Sequence, residues 1–98
     1  MIRHLVFYRM KPGTSAEDEN KLLAQARREL AKLPGVNNLK AGRNIRPSGN
    51  DYTLALSMDF EDEAALDTYR VHPDHQFFVK QIAEPFVSEI WRFDFRWE

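Results

Sequence analysis

The 98-residue chain has no cysteine. That removes disulfides, thiolate metal sites and a cysteine nucleophile, and it leaves the chain indifferent to the redox state of its compartment. A cytoplasmic location is the expectation. A charge excess is missing as well: 14 basic residues stand against 15 acidic ones. The two signs are interspersed, so no basic field exists for a phosphate backbone or an anionic headgroup. Neither nucleic acid nor a membrane is an expected partner. No apolar run approaches the roughly 20 residues that cross a bilayer. The opening segment carries Arg3 and Arg9 among its apolar residues, and no small-residue cleavage site follows, so it is expected to belong to the fold rather than to act as a secretory signal. Gly-rich phosphate loops, flavin or nicotinamide fingerprints and the Gly-x-Ser-x-Gly elbow are all lacking, and no cofactor is expected. Repeats and linkers are lacking too. Residues 1–98 therefore read as one domain, because smaller pieces could not bury a core.

What the chain does have is periodicity that changes from 2 to 3.6 and back. Ile2 to Met10 is rich in β-branched and aromatic residues and ends at Pro12-Gly13, which predicts a strand with Ile2, His4, Val6, Tyr8 and Met10 on one face and Arg3, Leu5, Phe7 and Arg9 on the other. Either Thr14 with Glu17 or Ser15 with Asp18 supplies a capping box. Behind it Leu22, Leu23, Ala26, Leu30 and Leu33 recur at helical spacing until Pro34-Gly35. Val36 to Asn44 predicts a short or edge strand, followed by a turn at Pro47-Ser48-Gly49-Asn50-Asp51. Tyr52 to Phe60 alternates clearly, with Tyr52, Leu54, Leu56, Met58 and Phe60 on one face. Glu61 to Arg70 predicts a helix capped by Asp62, with Ala65, Leu66 and Tyr69 inward. Pro73 breaks it at His72 and opens a second segment carrying Phe77, Phe78 and Ile82, which Pro85 ends. Ile90 to Trp97 predicts a last strand in which Trp91, Phe93, Phe95 and Trp97 oppose Arg92, Asp94 and Arg96. The order β-α-β-β-α-α-β is that of an α+β, ferredoxin-like protomer with its helices on one face of an antiparallel sheet.

Such a sheet has a second face. Leu5 and Phe7, with the aromatic row of the last strand on one face or the other, leave more apolar surface than one layer of helices covers. A second identical sheet packed face to face would cover it, giving an isologous homodimer with a barrel-like seam.

The residues Ile2-Arg3-His4-Leu5-Val6, Lys11-Pro12-Gly13-Thr14, Pro34-Gly35-Val36, Gly42-Arg43-Asn44, Tyr52-Thr53-Leu54-Ala55-Leu56, Tyr69…His72-Pro73-Asp74-His75 and Phe93-Asp94-Phe95 together resemble the stress-responsive dimeric α/β-barrel (Dabb) family over nearly the whole chain. Of these the His-Pro-x-His motif is the most specific. The resemblance implies a ferredoxin-like protomer, a dimeric barrel and a pocket between sheet and helices, in a family where most members have no assigned activity. A minority act as cofactor-free enzymes, including a polyketide cyclase that uses a tyrosine and the second histidine of the motif. Those positions fall on Tyr69 and His75, and the first-strand histidine of that pocket on His4. A third-strand histidine of the cyclase is replaced here by Leu54, which argues against the same substrate.

The residue types fit such chemistry. His75 lies in the first turn of a helical segment, whose dipole disfavours the imidazolium and keeps the ring a proton acceptor. Tyr69 would donate to an oxygen on which negative charge develops. Asp94 needs a partner if buried; a histidine that it orients and the neighbouring Arg92 and Arg96 are the two options, and which histidine is left open. Equally, His75 and His72 could serve only the bend, and Tyr69 could be core. A metal held by His4, His72 and His75 is disfavoured because the helix break spoils a shared face. Three functions follow. The leading one is a homodimer binding a small, partly apolar molecule in a pocket lined by Val6, Tyr8, Leu54, Leu56, Phe78 and Ile82. The second is a cofactor-independent cyclase, lyase or isomerase with His75 as base, Tyr69 as donor and His4 in support. The third is a structural dimer without a ligand.

Overall fold

The computed structural model describes residues 1–46 and 51–98. The turn expected at Pro47-Ser48-Gly49-Asn50-Asp51 lies, apart from Asp51, outside the described residues. Four strands, β1 (Ile2–Met10), β2 (Asn37–Arg43), β3 (Tyr52–Phe60) and β4 (Val87–Arg96), form one sheet in the order β2-β3-β1-β4. Each neighbouring pair is antiparallel. This is the ferredoxin-like arrangement, and it puts the first and last strands side by side at the sheet's centre and edge.

Helix α1 (Ala16–Gln25) starts at Ser15, whose hydroxyl accepts the Asp18 amide. Of the two capping pairs open from sequence, the fold uses this one. The helix runs into a π-type turn, Ala26–Leu30, and stops at Gly35, which adopts the left-handed φ of +83° that glycine tolerates without a Cβ penalty. Helix α2 (Glu63–Val71) is capped by Asp62, and α3 (Pro73–Phe77) continues into a second π-type turn, Phe78–Ala83, in which the Glu84 amide bonds the Val79 carbonyl at 2.9 Å. Leu22, Leu23, Ala26, Leu30 and Leu33 meet Ile2, Val6, Tyr8, Leu54, Leu56, Met58 and Phe60 in a single core, closed by Leu66, Tyr69, Phe78, Ala83 and Val87.

Three expectations about faces and boundaries change. Tyr52 does not share the inward face of β3: the register slips between Tyr8↔Leu54 and Arg9↔Tyr52, so Thr53 is an extra residue and Tyr52 turns outward beneath the Arg9 guanidinium, 4.9 Å from its ring centre. A second slip, past Ser88, lets β4 begin at Val87 rather than Ile90, because Val87 and Glu89 still pair with Met10 and Arg9. Phe77 is 60% exposed while Phe78 next to it is buried, since a helix turns adjacent residues to different faces.

The outward face carries Leu5 and Phe7 of β1 opposite Phe93 and Trp91 of β4. Trp91 is 57% and Phe93 55% exposed, and Phe93, Phe95 and Trp97 follow one another at ring separations of 6.4 and 6.2 Å. Register therefore assigns the aromatic row to the face away from the helices, which sequence periodicity left undecided.

Candidate active site

The corner between α2 and α3 is built by Pro73. A residue before proline avoids helical geometry, and His72 accordingly has φ −62° and ψ 134°. Its Nδ1 accepts the Asp74 amide at 3.1 Å, so His72 serves as the N-cap of α3. The bend leaves the Arg70 carbonyl without a helical partner, and two side chains donate to it: Gln76 Nε2 at 2.6 Å and His75 Nδ1 at 3.0 Å. A carbonyl only accepts, so the His75 proton sits on Nδ1 and Nε2 keeps its lone pair. The His75 pKa is held below its ordinary 6.5, first by burial and then by the positive fields of His4, Arg92 and Arg70, against the opposing Arg70 carbonyl bond. The neutral ring expected from sequence is thus favoured first by desolvation.

Strand register supplies the second histidine. His4 lies directly across from Asp94, and His4 Nδ1 bonds the Asp94 carboxylate. Asp94 thus orients His4. Neither arginine on its strand face takes it: Arg96 pairs with Glu63 at 2.9 Å. The His4 ring is buried at 3% exposure, which the carboxylate makes tolerable.

Tyr69 stands between the two imidazoles, its ring 4.3 Å from His75 and 6.0 Å edge-on from His4. Burial, and next the neighbouring Tyr8, push its pKa upward against the pull of Arg92, so the phenol is a donor at neutral pH. His4 and His75 open on one cavity of about 410 Å³, whose other walls are Asp67, Arg70, Val71, Gln76 and Arg92. Among the described residues no three histidine or carboxylate side chains are grouped to hold a metal.

The fold thus brings His4, Tyr69, His75 and Asp94 together. It does not bring the expected apolar lining there. Val6, Tyr8, Leu54, Leu56 and Phe78 are packed into the core with Ile82 against it, because the inward faces of β1 and β3 are filled by α1 and the second π-type turn. Of these, Phe78 and Ile82 also border a separate groove toward the end of the first helical segment, beside Leu33 and Pro34. Sequence reasoning missed Arg92, Arg70, Asp67 and Gln76 as cavity walls. For Arg92 the signal was present, since strand alternation puts it on the same face as Asp94. For the α2 residues there was none until the corner was seen.

Sheet order, helix placement and this corner define a ferredoxin-like α+β protomer with a small cavity bordered by His4 and His75. The chain belongs to the stress-responsive A/B barrel domain (Dabb) family, whose model matches residues 2–97. A Dabb-family protein of ferredoxin-like fold from Mesorhizobium loti is 33% identical, over 99% of this chain and 96% of that one, with a TM-score of 0.87. A dimeric ferredoxin-like protein of unknown function from Thermobifida fusca is 21% identical over 98% and 90%, with a TM-score of 0.84. A hydroxynitrile lyase from Passiflora edulis is 21% identical over 96% and 90%, with a TM-score of 0.82. No curated protein matches the sequence.

Proposed function

We propose that the chain acts as a homodimer in which each protomer's cavity takes a small, partly apolar carbonyl compound, and that His75 performs cofactor-free proton transfer on it, in a reaction of lyase, isomerase or aldol-cyclase type. The observation that carries this reading is the His75 ring. Its Nδ1 is committed to the Arg70 carbonyl at 3.0 Å, its Nε2 is free, and burial keeps it unprotonated beside a cavity. Those are the requirements of a general base. Tyr69 acts as the donor to the developing oxyanion, and the His4–Asp94 pair as the second acid–base group. The fold is shared with a hydroxynitrile lyase, and lyase chemistry at a carbonyl calls for the same base and oxyanion donor; that support is by analogy of fold.

The homodimer rests on the outward aromatic face, which matches a second copy by an isologous packing of like on like. Several proteins sharing the fold are described as dimeric.

Deuterium exchange at carbon next to a carbonyl tests the base directly. A panel of small aldehydes and ketones in D2O, followed by proton NMR, should include at least one whose exchange the protein accelerates. His75→Asn should lose that acceleration by roughly 10² to 10⁴, the range of a general base. Equal exchange with wild type and His75→Asn would overturn the assignment.

A further inference from the structure

One cation in the cavity wall has no counter-ion among the described residues. Among the described residues the Arg92 guanidinium has no ion pair or hydrogen bond, whereas Arg70 on the same wall is 3.8 Å from Asp67 and Arg96 nearby holds Glu63. Arg92 lies across from Val6 on the helix-side face of the sheet, so its diagonal neighbours on β1 are His4 and Tyr8. Tyr8 and Tyr69 are almost fully buried, and among the described residues neither hydroxyl has a hydrogen-bond partner. The one enclosed polar side-chain atom without a partner among those residues is Arg9 Nε, so both phenol oxygens keep contact with accessible space. Among the described residues Arg92 is thus a solvent-exposed cation on the cavity wall without a protein acceptor.

We infer that Arg92 forms an anion-recognition site in the wall of the His75 cavity, and that the substrate is therefore a small carbonyl compound that also carries a carboxylate. The inference rests on the cavity reading above and adds the substrate class to it. Five guanidinium donors in a planar fork suit a carboxylate, and the bond is strengthened by charge on both sides. Electrostatics agree, since Arg92 lowers the raised pKa of each phenol. Among the described residues Asp67 is the one carboxylate on the cavity wall, and Arg70 beside it offsets its repulsion of an anion.

Pyruvate and its uncharged methyl ester are the probes, and the His75 ring resonances of the full-length chain are the readout. Pyruvate should shift these resonances at lower concentration than the ester. Arg92→Gln should weaken pyruvate about tenfold or more, the loss expected for a charge-assisted bond, while leaving the ester unchanged. Arg92→Lys should recover part of the loss, since it keeps the charge without the fork. Equal binding of pyruvate by wild type and Arg92→Gln, or an ester that binds as tightly as the acid, overturns the anion site and leaves the carbonyl cavity standing. Failure of both probes to move the His75 signals overturns both.

Discussion

At the scale of single residues, the His75 ring makes a prediction with a definite sign. Its folded pKa lies below the ordinary 6.5 because burial penalises the imidazolium. Proton transfer by Nε2 should therefore persist below pH 6.5, and the acid limb of the exchange rate should fall at a lower pH than for a solvated histidine. Stability follows the same linkage. Between the folded and unfolded values the unfolded chain binds the proton first, so the His75 contribution is complete above 6.5 and is lost as pH falls toward the lowered folded value. Removing the ring with His75→Asn should flatten this part of the stability profile in denaturant titrations. Asp94 is a positioning residue: it acts through His4. Asp94→Ala should lower the exchange rate, and Asp94→Asn, whose amide oxygen can still accept from His4 Nδ1, should recover part of it; an unchanged rate in Asp94→Ala would remove the positioning role.

At the scale of elements, local chemistry decides where segments begin and end. Ser15 holds the Asp18 amide at 3.0 Å, and Ser15→Ala should cost about 1 kcal/mol of stability, measured by urea unfolding. Boundaries set by proline, glycine and caps were legible in the sequence for this reason: they depend on residues adjacent in the chain. Bulges were not. The slip at Thr53 that turns Tyr52 outward, and the one at Ser88 that lengthens β4, arise from pairing with Arg9 and Met10, dozens of residues away. Alternation inside β3 alone is silent about them.

At the scale of the whole molecule, two faces of one sheet do different work. The helix side is a filled core, and Phe78→Ala should destabilise the chain by about 3–5 kcal/mol, as large-to-small changes of a fully buried aromatic do. The other side exposes Trp91 and Phe93 across from Phe7 and Leu5. A charge there should act on association and not on the protomer's core. Phe93→Glu is expected to yield a monomer by sedimentation or light scattering, with helical circular dichroism retained. An unchanged mass would remove this face as the interface.

The sequence by itself determined the α+β class, the element order, the His-Pro-x-His corner and the inward faces of β1 and α1, because each follows from spacing within a few residues or from a motif read directly. Tertiary structure alone decided which histidine Asp94 engages, which way the last strand's aromatics point, that the expected apolar lining is solid core, and that Arg92 stands in a cavity wall without a counter-ion among the described residues. All four depend on register between β1 and β4, strands that meet across more than seventy residues of chain, and on how completely helices fill the space above the sheet. Side-chain periodicity says that two faces exist; only pairing and packing say what each face meets.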